Sequence, residues 1–186
     1  MVLMGEKPLT DIELEHLARM GDASAFGRLI RGMDSDLRGV VWNVVRSQSA
    51  IDDVMQRSYE KAFMAIGDFK HESSMKTWLH RICYRTAIDY VRSEKIRTHE
   101  DFDLVSEDQM PDAGRSQTES VAERGLVKVL LSELDPDTRA MLFYTSGLGY
   151  TFDETADVLG VERGTVASRV SRAKARLRQI AGDQNE

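Results

Sequence analysis

The last helical stretch of the sequence gathers cations in a way its surroundings do not. Residues 163–178 hold six basic side chains and no acidic one, although residues 126–186 as a whole carry 8 basic and 9 acidic side chains. Arginine presents a planar fork of donors that fits either a guanine edge or a phosphate, and the sequence leaves open which. Arg163, Arg169 and Arg172, with Thr165, Ala167, Ser168 and Ser171 among them, are therefore candidates for DNA contact. Cations favoured at the negative end of a helix dipole would account for Lys174, Arg176 and Arg178, but poorly for Arg163 and Arg169. A second cationic face lies upstream, where Arg81, Tyr84, Arg85 and Arg92 project from neighbouring sides of one helix and could offer charge and a ring to a polyanion. Plain solvation also produces such a face.

Chemistry of other kinds finds little support. The four histidines are His16, His71, His80 and His99, and the pair His71-Glu72 fails as a zinc-protease signature because position 75 is Met. The single cysteine, Cys83, can form no internal disulfide and belongs to no cysteine and histidine ligand set, which fits a reducing, cytoplasmic compartment. There is no phosphate-binding glycine loop and no nucleophile beside a base. Asp52-Asp53 and Asp153-Glu154 read as acids placed at helix starts. The expectation is no catalytic residue, no metal and no cofactor.

The elements that must carry the two cationic faces are helical. Asp135 caps a helix with Pro136 in its first turn that runs through Met141, Leu142 and Tyr144 to Gly147. Thr151 with Glu154 forms a capping box opening a short helix that stops at Gly160. A final helix follows with Val166, Val170, Ala173, Leu177 and Ile180 at alternating spacings of four and three, so the C-terminal unit contains a helix-turn-helix. In that motif the start of the second helix enters the major groove.

Upstream, Thr10 and Glu13 form another capping box, and apolar periods continue through Phe26, Leu29 and Ile30 and through Val40, Val41, Val44 and Val45. Ser49 is expected to cap a long helix carrying Ile51, Val54, Met55, Tyr59, Ala62, Phe63 and Ile66 that Gly67 ends. A polar loop then leads to a helix over about residues 75–92.

Charge divides the chain into three. Residues 1–97 hold 15 basic and 14 acidic side chains, residues 98–125 hold 2 and 8, and residues 126–186 are nearly balanced, so the net charge of −6 lies in the middle stretch. With Pro111, Gly114 and no sustained apolar period, that stretch reads as an acidic flexible linker. At 186 residues with 7% aromatic side chains and only three prolines, the expectation is an all-α protein of two small helical domains. No apolar run reaches the roughly 18 residues of a membrane span, so no membrane insertion is expected.

Two sets of residues carry a resemblance. Asp52-Asp53-Val54-Met55-Gln56, Thr77-Trp78-Leu79-His80-Arg81-Ile82 and Ala87-Ile88-Asp89 resemble the second region of extracytoplasmic-function sigma factors of the bacterial sigma-70 family. Arg139, Glu154, Ala156, Leu159, Gly160 and Gly164-Thr165-Val166-Ala167-Ser168-Arg169 with Arg172-Ala173 resemble that family's fourth region. The resemblance implies an alternative sigma factor, with no chemistry of its own, that binds core RNA polymerase through the beta and beta-prime subunits and is held inactive by an anti-sigma factor. It implies a polymerase-binding surface at Asp52, Asp53, Gln56, Arg57, Tyr59 and Glu60, and a minus-ten surface at Phe69, Lys70, His71, Ser73, Ser74, Lys76, Trp78, Arg81, Tyr84, Arg85 and Arg92. The helix-turn-helix residues Arg163, Thr165, Ala167, Ser168, Arg169, Ser171 and Arg172 would then read the minus-thirty-five element of promoter DNA. Region 2 would occupy residues 1–97, the linker 98–125 and region 4 residues 126–186.

Arg57, Arg85 and Ala167 depart from the residues usual at their positions, so no particular promoter sequence carries over. A free-standing helix-turn-helix regulator and a protein-binding helical adaptor are the competing readings. DNA binding without core polymerase would mark the first, and no DNA dependence at all the second.

Overall fold

The computed structural model describes residues 9–98 and 134–183, and no strand occurs among them. Helix α1 (Asp11–Arg19) starts at the expected capping box, with Thr10 and Glu13 bonded reciprocally, and is followed by Gly21 in the left-handed region. The Asp22 carboxylate accepts from the Ser24 and Ala25 amides and opens α2 (Ala23–Arg31). Helix α3 (Asp34–Val45) has Asp34 and Asp36 in its first turn, where the dipole favours acids, and ends at Arg46 with φ of +59°.

Helix α4 (Gln48–Ala65) begins just after Ser47, so Ser49 lies inside the helix and does not cap it. The helix ends at Ala65 and a 3-10 turn (Ile66–Asp68) contains Gly67, so the chain tightens there before the loop of residues 69–74. The Ser74 hydroxyl accepts from the Thr77 amide at the start of α5 (Met75–Thr98), which runs past the expected end near Arg92 because nothing in Ser93-Glu94-Lys95-Ile96-Arg97 breaks a helix. Apart from Thr98, the expected linker lies outside the described residues.

In the C-terminal unit Asp135 caps α6 (Pro136–Leu142) through the Thr138 amide, and a wider π turn (Phe143–Gly147) extends it. The capping box of Thr151 and Glu154 opens α7 (Phe152–Leu159), Gly160 closes it with φ of +70°, and α8 (Arg163–Asp183) follows.

Packing explains why α3, rich in β-branched residues, is nonetheless helical. Leu37, Val40, Val41 and Val44 are fully buried between α4, which contributes Ile51, Val54 and Met55, and α5, which contributes Leu79, Cys83 and Ala87. Each such side chain contributes about 1.5–3 kcal/mol, far more than the few tenths by which helix propensities differ. The α1 and α2 pair covers one end, with the Phe26 and Phe63 rings 5.3 Å apart.

The second unit is organised around Ala140, Met141, Tyr144, Val158, Val166, Val170 and Ala173. It packs directly against the first, α6 on α3 and α7 on α5, so the buried residues of both units form one continuous cluster.

Candidate nucleic-acid interface

Helix α8 turns Val166, Val170 and Ala173 into the second unit and leaves Arg163, Ser168, Ser171 and Arg172 exposed, with Thr165, Ala167 and Arg169 half-buried. Three of its arginines already have partners within the chain. Arg163 pairs with Asp153 at 3.3 Å, the Arg172 Nε–H donates to the Ser168 carbonyl at 3.2 Å, and Arg169 lies 3.4 Å from Asp135 and 3.8 Å from Asp137. Burial works against ionisation of Asp135, yet hydrogen bonds from Thr138 and the Arg169 charge outweigh it and leave the carboxyl below its ordinary value. Surface pairs of this kind are each worth about 0–1 kcal/mol. They are weak enough for a phosphate or a base to displace.

The first unit's cationic face meets the second unit. The Tyr84 hydroxyl donates to Asp137 at 2.7 Å, and burial raises its pKa, so Tyr84 is a neutral donor held under α6. The Arg81 Nε–H donates to the Asp157 carbonyl at 3.1 Å. Asp137 therefore faces a tyrosine of α5 and an arginine of α8 at once. Arg85 and Arg92 remain exposed, as does Lys70. Lys76 pairs with Asp36 at 3.2 Å and sits 5.5 Å over the Tyr150 ring. At the start of α5, Phe69 is buried, with its ring 5.3 Å from Trp78 and 4.6 Å from His71. Trp78 is half-buried, as is Ser73, and Ser74 is exposed as a cap.

The other candidate surface lies on α4. Asp52, Asp53, Gln56, Arg57 and Glu60 are all exposed. Arg38 donates to Asp52 at 2.7 Å, Arg57 pairs with Asp53 at 2.8 Å, and Gln56 donates to Glu60 at 2.9 Å. Tyr59 is half-buried and its hydroxyl donates to Asp34 at 2.6 Å, which ties α4 to α3. Burial and that bond raise its pKa, so it carries no charge.

Residues to which the sequence assigned no role between the units hold the two together. Arg139 is buried, and its guanidinium donates to the Asn43 carbonyl at 2.7 Å, the Val44 carbonyl at 3.0 Å and the Leu134 carbonyl. The first two are carbonyls of the last turn of α3, which lack helical partners. Burial lowers the pKa of Arg139, and the nearby Arg46 lowers it further.

His80 is wholly buried where α5 meets the second unit, 5.5 Å from the Tyr144 ring and 5.6 Å from the Tyr150 ring. Its Nδ1 is 3.2 Å from the Tyr144 hydroxyl, and its Nε2 has no hydrogen-bond partner. The sequence signal available was phase alone, since His80 follows Leu79 on the apolar side of α5.

Burial, reinforced by Lys76 and opposed by Asp36, lowers the pKa of His80 from 6.5 to about 4. Neutral His80 therefore fits the junction and its imidazolium does not. If His80 regains its ordinary value when the units part, closure is fully present above about pH 6.5 and is lost as pH falls from there toward 4. The ratio of closed to open protein is expected to fall about tenfold to thirtyfold between pH 7.5 and pH 5. Interdomain energy transfer measures this, and His80→Phe should flatten the curve. A flat profile in the parent protein would refute the assignment.

Among the described residues no helix is long and apolar enough to cross a membrane, and no group of three or more histidine, cysteine or acidic side chains could hold a metal. The fold and the faces define a two-unit helical protein whose second unit carries a helix-turn-helix. The sigma-70 region 2 family matches residues 29–96, and the sigma-70 region 4 family matches residues 124–177. The chain is 33% identical over 181 residues to the ECF RNA polymerase sigma factor SigM of Mycobacterium tuberculosis, covering 97% of this chain and 89% of that protein. It is 30% identical over 179 residues to the RNA polymerase sigma factor NccH of Alcaligenes xylosoxydans, covering 91% and 94%.

Among solved structures, the sigma factor RpoE from Bartonella quintana, in complex with the anti-sigma factor NepR, superposes with a TM-score of 0.71 at 23% identity, covering 84% of this chain and 96% of that one. CnrH in complex with the cytosolic domain of CnrY gives 0.67 at 24% identity, covering 93% and 97%. The chain belongs to the extracytoplasmic-function sigma factors of the sigma-70 family. It is an alternative sigma factor, a subunit that directs RNA polymerase to promoters.

Proposed function

We propose that residues 1–97 form the unit that binds core polymerase and opens the minus-ten element, that residues 126–186 form the unit that reads the minus-thirty-five element, and that residues 98–125 link them. On this reading the exposed α4 edge, with Asp52, Asp53, Gln56, Arg57 and Glu60, meets the beta-prime subunit, with Tyr59 anchoring the helix from behind. Loop residues Phe69, Lys70, His71, Ser73 and Ser74, with Lys76, Trp78, Arg81, Tyr84, Arg85 and Arg92 of α5, take the melted strand. That task needs stacking rings, cations and room for an extruded base. Arg163, Thr165, Ala167, Ser168, Arg169, Ser171 and Arg172 face the major groove. The protein performs no catalysis itself and works in the cytoplasm.

The observation that carries this reading is α8, with an apolar seam sunk into its unit and arginines on the other side held only by weak surface pairs. In the observed arrangement Arg81 and Tyr84 are engaged by the second unit, so promoter contact requires the units to part. An anti-sigma factor that grips the closed form would keep them together; among the solved relatives RpoE is in complex with the anti-sigma factor NepR and CnrH with the cytosolic domain of CnrY. In vitro transcription with purified core polymerase tests the reading. Arg169→Ala or Arg172→Ala is expected to remove about 1–3 kcal/mol of promoter binding where the side chain reads a base, and to weaken all sequences alike where it holds phosphate. Equal output from variant and parent would discard the assignment, and operator binding without polymerase would favour a free-standing regulator.

A further inference from the structure

Helix α1 lies before residue 29, where the region 2 match begins, yet it reaches the loop proposed to take the melted strand. The contact is specific. The Arg19 Nη1 is 2.9 Å from the His71 Nε2, and the Glu15 Oε1 is 3.2 Å from the same nitrogen. Glu15 and Arg19 are one helical turn apart and so share a face of α1. The Glu15 side chain is only 18% exposed, an unusual degree of cover for a carboxylate on a short helix.

His71 is held in an uncommon backbone conformation, with φ of +59°, one of two such non-glycine residues among those described. For a residue with a Cβ the left-handed region is disfavoured, so neighbouring contacts must hold it there. They do so from two sides. The ring lies against buried Phe69, which lies against Trp78, while Glu15 and Arg19 hold its Nε2.

One nitrogen facing two partners of opposite character has a consequence. With its proton on Nδ1, the ring accepts at Nε2 from Arg19, and with Nε2 protonated it donates to Glu15. Each state has a partner, so α1 grips the ring in either. The backbone is also close, since a Cβ added at Gly67 in the 3-10 turn would come within 3.9 Å of the Arg19 carbonyl.

We infer that Glu15 and Arg19 are positioning residues that hold His71, and through it the loop of residues 69–74, in the shape that receives an unpaired base of the melted promoter strand. This inference rests on the proposed minus-ten role of the loop. It gives α1 a part in promoter choice through the loop it holds. Loss of the grip leaves the loop free to leave its strained conformation, so the pocket becomes less selective before it becomes weaker.

The test uses holoenzyme assembled from core polymerase and full-length chain, on promoters carrying each of the four bases at the extruded minus-ten position. The probes are a single-stranded minus-ten oligonucleotide and open-complex formation. Arg19→Gln and Glu15→Gln are each expected to reduce discrimination among the four bases about threefold to tenfold, the range of one ordinary hydrogen bond. Affinity for core polymerase and discrimination in the minus-thirty-five element should stay at parent values. His71→Asn provides the reference, because asparagine tolerates the left-handed region but cannot reach both partners. Arg19→Gln added to His71→Asn should produce no further loss, since Arg19 acts through the ring.

A general weakening of folding would instead lower core affinity and both promoter elements together, and that result would overturn the inference. Parent-like discrimination in both α1 variants, with His71→Asn defective, would overturn it while leaving the loop's role intact. Parent-like discrimination in His71→Asn itself would overturn the role of the loop, and the inference with it.

Discussion

Replacing Arg139 by Ala is expected to separate the two units of the free protein while leaving each one folded. Arg139 is buried and fastens α6 to the last turn of α3 through the Asn43 and Val44 carbonyls, with the Leu134 carbonyl as a third acceptor. Charged donors make the stronger hydrogen bonds, but burying the guanidinium works in the other direction, as its lowered pKa records. The net loss on removal is about 2–4 kcal/mol, which shifts the ratio of closed to open protein about thirtyfold to a thousandfold. Lysine keeps the charge but not the planar fork, so Arg139→Lys should recover little. Energy transfer between dyes on exposed positions of the two units would report the separation, and circular dichroism should show unchanged helix content. The freed Arg81 and Tyr84 should then let the isolated chain bind a single-stranded minus-ten oligonucleotide more tightly than the parent does. An unchanged dye distance would mean that the apolar contacts of α3 with α6 and of α5 with α7 hold the units without this residue.

That expectation rests on contacts the sequence does not announce. The local signals were legible because their physics is local: both capping boxes, the Asp135 cap with Pro136 behind it, and Gly160 in the left-handed region all join residues at most five apart. The start of α4 lies at Ser47 and not at the expected Ser49, and no hydroxyl caps its amides: the two serines bond each other at 3.1 Å. The end of α5 was misplaced because a helix without glycine or proline has no marked stop.

Of the candidate interface, the residue types on α8 and α5 were readable from charge and phase, but their partners were not. Arg139 and Asn43 are 96 positions apart, and Tyr84 and Asp137 are 53 apart. Nothing in periodicity encodes such a meeting. Tyr84 looked like a free ring on a cationic face, and only the position of α6 explains its burial.

Tyr144→Ala is expected to have the largest effect on the closed arrangement. Tyr144 is the bulkiest of the fully buried side chains, and its ring fills the space between the π turn and the first unit, edge-on to His80 and 5.2 Å from Tyr150. Truncating a buried aromatic ring costs about 3–5 kcal/mol, part lost transfer energy and part cavity. Tyr144→Phe divides that sum. It keeps the ring and removes only the hydroxyl, leaving the buried His80 Nδ1 without its partner at 3.2 Å, for a loss of about 1–3 kcal/mol.

The two variants separate packing from polarity at one position. Because the side of Tyr144 that meets His80 faces the first unit, much of the alanine penalty falls on closure and only the rest on the second unit's own fold. Dye separation should therefore grow strongly in Tyr144→Ala and less in Tyr144→Phe. On the proposed reading, in which promoter binding parts the units, the promoter-bound holoenzyme should tolerate both changes better than the closed free protein does. Equal losses of transcription and of closure in Tyr144→Ala would instead place the ring in the core that the second unit needs in every state. The cover over Arg81 and Tyr84 would then be incidental to the working cycle.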